Sequence, residues 1–546
     1  MKLNKILVVA GVSAMVGLSS CNELDKEVFT NAVTSEQKEQ ALEMNPELAQ
    51  ASINAISTGA YQMFAVLGES HDDFGLPAVM MMLDSNGQDF VSPNSGYNWF
   101  SPSVALTVGS NRSDETYLIW FTCYNAIKSC NSALASIPAD AEEPILQFYR
   151  GQALCFRAFY YWILAQVYQH NYSGHESAPC VPIITEENEE EAATQGAARA
   201  TVQEVFDFMT STLNEAIDLI AGSGITAQEV MSTKPKRFFN LDAAYGMLAR
   251  VCLTMHDYEG ALEAAQNCLS HTGCQPYSLA EVSQPTFISL DDSSWLFGLP
   301  VAPSDEAVLS WIVNFPSMMG SFCYGYAQNG AWRWCNANLF NAIPDSDVRK
   351  GWWLNSEYES ANLNDAYMSY LDSFGYTDDR DNGGIAVQKY TQVKFAPYGG
   401  ELNTTTNACD IPYFRIEEVY YILFEAQAMT GDVTGAVSAL NNFVKTYRNP
   451  SYNFVGASSQ AVQDEIWMQR RMEFWGEGFV AWFDLKRLGK PIDRRGAGYP
   501  SPFIYYVEPG SDVFVLPIPQ QETQTNKLLT NADNNPEWNR PTVVKD

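Results

Sequence analysis

The sequence predicts a mainly α fold, a scaffold of tetratricopeptide-like helical hairpins carrying one large, irregular, aromatic-rich insertion. Three observations predict it. Apolar residues recur every three or four positions over long stretches on both sides of the chain's middle, the period of a helix with one buried face. Two of those stretches repeat each other at an offset of 175 residues. Between them, from about 275 to 409, the helical period breaks up while tryptophans accumulate.

Taken in order, the periodic stretches are 48–67, 116–137, 145–168, 202–220, 241–255, 258–269, 416–447 and 462–475. In the repeat, Tyr245, Asp257, Gly260, Ala261 and Ala264 correspond to Tyr420, Asp432, Gly435, Ala436 and Ala439. Each copy reads as a helix, a tight turn at the Asp, and a second helix with small residues on one face, which lets two helices approach closely. The segment 84–111, punctuated by Pro93, Gly96, Pro102 and Gly109, reads as a long loop. The acidic run 186–191 reads as a solvated loop. The insertion reads as loops, small strands and a few helices. The expected domain plan is a signal peptide (1–20), a tether (21–44) and one domain (45–546). Within that domain the scaffold occupies 45–274 and 410–490, the insertion 275–409 and a C-terminal segment 491–546.

Lys2 and Lys5 precede a short apolar run at 6–16, the layout of a secretory signal rather than a membrane span. Leu18, Ser19 and Ser20 then lead into Cys21, which reads as a lipobox with Cys21 as the lipid-attachment residue. Several acyl chains at ~0.8 kcal/mol per buried methylene would hold the protein firmly to a bilayer.

The chain has 32 basic and 64 acidic residues, a formal charge of −32. Cleavage after Ser20 would remove Lys2 and Lys5 and make it more negative still. Such a chain is repelled by phosphate backbones, so nucleic acid is excluded as a partner. With 46% hydrophobic and 13% aromatic residues it is nonetheless no acidic tail. Apart from Cys21, ten cysteines remain; none forms a CxxC pair, and only five histidines accompany them, so no metal site is expected. Cys123, Cys130, Cys155 and Cys252 read as small buried hydrophobes, and Cys268 and Cys274 either as the same or as a bridge in an oxidising compartment.

Catalysis finds little support. Glu473 and Glu477, four apart on an expected helix, would lie on one face and serve as caps or ion-pair partners of Arg470, Arg471 or Arg487. A glycosidase needs its two acids on opposite sides of the scissile bond. His71, Asp72 and Asp73 read as a hydrated polar turn, and no nucleophile motif or cofactor-binding loop is present. Binding is better supported. Six of the thirteen tryptophans fall between Trp295 and Trp353, beside Tyr324, Tyr326 and Phe340. Sugar C–H faces stack on exposed rings, while neighbouring amides serve the hydroxyls. The candidate ligand-binding residues are Tyr324, Tyr326, Trp332 and Trp334, with Gln328, Asn329, Asn336 and Asn338 nearby. A second candidate cluster is Tyr97 and Trp99, with Asn98 and Phe100, at the first long loop.

Arg471, Glu473, Phe474, Glu477, Gly478, Trp482, Phe483, Asp484, Leu485 and Arg487, followed by Pro517, Ile518, Pro519, Gln520, Glu522 and Asn526, resemble the C-terminal pattern of the SusD/RagB family. Segments 411–420 and 151–168 and the lipobox resemble it too, over about half the chain in all. Val480 and Ala481 stand where the family has a single Arg. The resemblance implies a nutrient-binding lipoprotein on a scaffold of tetratricopeptide-like helix pairs. It would be anchored in the outer membrane and partnered by a SusC-like TonB-dependent transporter. The acidic residues after Cys21 (Glu23, Asp25, Glu27) resemble the family's signal for the cell exterior. The expected function is capture of oligosaccharides and their delivery to that transporter, without catalysis. Peptide cargo on the same architecture, a surface glycosidase and a bare helical scaffold are the alternatives.

Overall fold

A computed structural model describes residues 47–546; Cys21, the expected signal and the whole of the expected tether lie outside them. The scaffold begins with α1 (Glu47–Gly59), α2 (Leu76–Asn86), α3 (Asp114–Leu134), α4 (Pro144–Val167) and α5 (Val202–Ser223). Then come α6 (Leu241–Met255) and α7 (Tyr258–His271), α8 (Ile416–Met429) and α9 (Val433–Tyr447), and finally α10 (Ser459–Glu473) and α11 (Ala481–Arg487). Among the described residues no helix is long and apolar enough to cross a membrane.

The repeated stretches are two helical hairpins, α6–α7 and α8–α9, packed on each other through α7 and α8. Their turns are built alike. Asp257 accepts a hydrogen bond from the Gly260 N–H at 3.0 Å, and Asp432 one from the Gly435 N–H at 2.9 Å. Each Asp is thus the N-cap of the second helix, satisfying one of its free donors. A Cβ at Gly260 or Gly435 would stand 2.3 or 2.1 Å from the capping carboxylate, so the small residue and the cap come as a pair.

Three expectations are corrected. The first helix stops at Gly59 instead of running to 67, because the chain from Ala60 onward folds into a polar-stapled loop. Part of the expected loop 84–111 belongs to α2, whose eleven residues are all buried. A helix buried on every side has no 3.6-residue apolar stripe to read. The acidic run is only partly a solvated loop: Glu186 pairs with Arg157 at 2.5 Å, and Glu189–Gln195 is a short helix with its acids in the first turn.

The insertion is tied to the scaffold by strands. β1 (Phe90–Val91) pairs antiparallel with β3 (Trp334–Cys335), and β2 (Trp295–Leu299) with β4 (Ile411–Arg415), so the edges of the insertion lie side by side. A continuous apolar core runs from Ala49 to Leu529 through scaffold and insertion alike. All ten cysteines of the described residues are buried and free, so Cys268 and Cys274 do not bridge.

Candidate functional site

Glu473 closes α10, and Glu477 lies beyond it in a turn where Gly478 adopts φ +64°. The two acids therefore do not share a helix. Nor do they pair with Arg470, Arg471 or Arg487, which go to Asp484, Asp89 and Glu425. Glu473 is fully buried between Arg448 (2.7 Å), Arg415 (3.2 Å) and Arg349 (3.4 Å). Glu477 pairs with Arg415 (2.7 Å) and Lys394 (2.6 Å). With Glu417 and Asp347 these form a sealed network of four acids and four bases. The three guanidinium groups hold the Glu473 carboxyl below the usual carboxylate range in spite of its burial. Such a cluster builds structure; substrate has no access to it.

Trp332 and Trp334, expected at a ligand surface, belong to the core, 1% and 2% exposed. Trp332 stacks edge-on with Phe374 and donates its indole N–H to the Ile385 carbonyl at 3.0 Å. Trp334 lies in β3 opposite Val91 and donates to the Gly498 carbonyl at 3.1 Å. Phe340 and Phe100 are buried as well. Asn336 caps the helix Ala337–Ala342, and Asn338 donates to the Arg495 carbonyl, so neither amide serves a ring face. Of the four candidates along 324–334, burial thus falls on the second pair.

Three of the other four candidates converge, and Tyr324 is exposed two residues from one of them. Pairing of β1 with β3 sets the loop after Val91 beside the segment before Trp334. Tyr97 is 55% and Tyr324 37% exposed, and Trp99 and Tyr326 are half-buried. The Tyr97 and Tyr326 rings are 6.1 Å apart, those of Trp99 and Tyr326 6.3 Å. His71 joins from a third segment, stacked on Trp99 at 4.8 Å and sharing a 2.5 Å hydrogen bond with the Tyr326 hydroxyl. Burial pushes the imidazole below its ordinary value and the phenol above its own, so the pair stays neutral and the hydroxyl keeps its proton.

Buried polar groups hold the segments that carry the rings. The loop carrying His71 is stapled by Asp73, whose carboxylate accepts the N–H groups of Val66 (2.7 Å) and Leu67 (2.6 Å). Gly75, at φ +78°, closes it where a Cβ would stand 2.3 Å from the Ala60 carbonyl oxygen. Asp73 is thus wholly buried and Asp72 nearly so, which corrects the expectation of a hydrated turn. Asn98, between Tyr97 and Trp99, donates to Ser92 and Pro93 and accepts from Arg333 at 2.8 Å. Arg333 also donates to the Met318 carbonyl, tying the Tyr97 loop to the insertion. Gln328 is buried too, donating to Asn403 at 3.1 Å and accepting from Tyr370.

Trp99 also lines a cleft of about 330 Å³, together with Asp72, Ser103, Ser110, Arg112 and Asp114. A tryptophan ring next to carboxylate, hydroxyl and guanidinium groups can stack an apolar face and hydrogen-bond a polyhydroxylated rim. A larger cavity, about 580 Å³, opens elsewhere, between Ile220, Lys236, Asp242 and His271. Its one ring, His271, is engaged with Tyr245. The convergence of rings from three segments therefore marks the candidate site, and volume does not. Sequence reasoning missed the role of His71, for which only its place in a Gly-flanked polar loop gave a sign, and singled out nothing about Trp311, the most exposed tryptophan of the described residues at 58%.

Two family patterns match the chain. One, SusD-like and described as starch-binding associating with outer membrane, covers residues 34–253. The other, the SusD family, covers residues 317–538. No curated protein matches. Among solved structures the chain is similar to a SusD-like carbohydrate binding protein from Bacteroides vulgatus, at 22% identity and TM-score 0.71 over 89% of this chain and 97% of that one. A SusD superfamily protein from Bacteroides thetaiotaomicron is similar at 22% identity and TM-score 0.67, over 90% and 99%. So is surface glycan-binding protein A of that organism, in complex with laminarihexaose, at 17% identity and TM-score 0.62 over 90% and 99%. At these identities the likeness shows a common fold.

Proposed function

The chain belongs to the SusD/RagB family, and from that premise we propose that it binds oligosaccharides at the cell surface and passes them to a TonB-dependent outer-membrane transporter. The observation that carries the binding reading is the meeting of the His71, Tyr97, Trp99 and Tyr326 rings, with Tyr324 exposed two residues from Tyr326 and a polar cleft lined by Trp99. Flat rings take sugar C–H faces, and the cleft's Asp, Ser and Arg side chains serve hydroxyls. The laminarihexaose complex of a structural relative supports glycan as the cargo class. Lipid attachment at Cys21 would hold the protein at the outer membrane, facing the exterior, and residues 45–546 would act as one ligand-binding unit.

Binding without turnover is part of the proposal. Since few rings stack and most hydroxyls exchange water for protein partners, Kd should lie between about 1 μM and 1 mM. The test is a glycan and peptide array probed with soluble protein from Asn22 onward, followed by calorimetry on Tyr326→Ala. Loss of the ring should weaken glycan binding by ~1–3 kcal/mol with little change in Tm. Peptide binding alone, or release of reducing sugar by the pure protein, would overturn the reading.

A further inference from the structure

Trp311 stands apart from the ring cluster in sequence and is presented in an unusual way. It is 58% exposed and its backbone adopts φ +70°, a left-handed conformation that a bulky side chain rarely takes. Hydrogen bonds staple the turn that carries it. The Trp311 N–H donates to the Val308 carbonyl at 3.0 Å, and the Val313 N–H to the Ser310 hydroxyl at 2.9 Å. Asn314, wholly buried, donates to the Ala307 carbonyl at 3.1 Å and accepts the Ser317 N–H at 2.9 Å. A large apolar ring is thus held out in water by a strained, hydrogen-bonded turn.

The link to the ring cluster is Asn407. Only 1% exposed, its side-chain nitrogen donates both to the Trp311 carbonyl at 2.9 Å and to the Tyr324 carbonyl at 3.1 Å. Both partners are acceptors, which settles which end of the amide faces them. The other end, Oδ1, is buried with no partner. One nitrogen therefore fixes the backbone of Trp311 against that of Tyr324, at the price of an unsatisfied acceptor. Strain and an orphaned polar atom at one place are what folds retain at functional positions.

We propose that Trp311 is an outlying ring of the same binding surface, so that the protein takes a chain of several linked sugars, stacked at the Trp99–Tyr326 cluster and again at Trp311. The proposal rests on the glycan-binding reading. Its distinctive consequence is a dependence on chain length: a short oligosaccharide fills the cluster alone, and only a longer one reaches Trp311. Continuity with Tyr324 favours this occupant over a protein partner.

The test uses Trp311→Gly, which removes the ring and lets a residue at ease with positive φ take the turn. Native gels, each containing one polysaccharide such as laminarin, amylopectin, xylan or arabinogalactan, identify a polymer that retards the wild type. Partial hydrolysis of that polymer supplies a size series for calorimetry. The variant should keep or raise its Tm, bind the shortest binding oligosaccharide as the wild type does, and lose about tenfold in affinity for the longest. Equal affinity at every length, or an equal loss at every length, would overturn the proposal while leaving glycan binding in place, the first pointing to a protein contact for Trp311. A marked fall in Tm would assign the ring to the fold and overturn it as well. A wild type retarded by no polysaccharide would remove both this proposal and the reading it rests on.

Discussion

Trp334 and Tyr326 are eight positions apart and of similar chemistry, yet they do opposite things. Tyr326 ends half-buried against His71, whereas Trp334 is enclosed by β1 and the Gly498 carbonyl. An aromatic residue in an aperiodic segment carries no mark of its own burial, because burial is set by what packs above it. Trp334→Ala should therefore lower stability by ~3–5 kcal/mol, as for other truncated core tryptophans. Denaturant melts read that loss, and glycan affinity measured on the folded fraction should change less than for Tyr326→Ala. A variant as stable as the wild type would return Trp334 to the surface. Glu473 gives the same lesson in polar form: its acidic character and helix position were visible in sequence, but its partners Arg349, Arg415 and Arg448 lie 25 to 124 residues away.

At the scale of elements, the helical hairpins were legible because their cause is local. Apolar spacing, the capping Asp and the small residue three positions on are all contained in a dozen residues. The cap and the glycine are linked by sterics, which yields a prediction. In Gly260→Ala the new methyl would stand 2.3 Å from the Asp257 carboxylate, so the carboxylate must leave its hydrogen bond with the residue-260 N–H. The loss of an N-cap costs about 1 kcal/mol, which a thermal melt should register. Ala is otherwise the better helix former, so an unchanged or raised Tm would contradict the linkage. α2 was illegible for the complementary reason: all its faces are buried, and its sequence has no polar side to set the period.

At the scale of the whole molecule, a chain of formal charge −32 buries two carboxyl groups, Asp84 and Glu115, without an ion pair of their own, although the more distant Lys394 charge pulls Asp84 down somewhat. Asp84 is 4% exposed and Glu115 3% exposed. Burial pushes both up to about 7, against hydrogen bonds from the Gly478 N–H to Asp84 and from Ser103 and Asn86 to Glu115. Their folded-state values lie above those of the unfolded chain, so the folded protein holds extra protons between about pH 4 and 7. The stability each contributes is present at low pH and is lost as pH rises through about 7. His170, pushed down to about 4 by burial, acts in the opposite sense, so the comparison must be made against a variant. Relative to Asp84→Asn, the wild type should gain on the order of a few kcal/mol in urea melts from pH 8 to pH 5. A difference that does not vary with pH would show that Asp84 stays ionised throughout.

The helical hairpins, their repeated Asp-capped turns, the aromatic-rich insertion and the family to which the chain belongs were all legible in the order of residues alone. All of these rest on short-range spacing or on contiguous motifs. The sequence also named Tyr97, Trp99, Tyr324 and Tyr326, without showing that their two distant segments would meet. Tertiary structure alone decided that meeting, through the pairing of β1 with β3, and with it the arrival of His71 and the retreat of Trp332 and Trp334 into the core. The physical reason is that a residue's exposure and partners are properties of the surfaces brought against it. In this chain those surfaces come from segments more than two hundred residues apart.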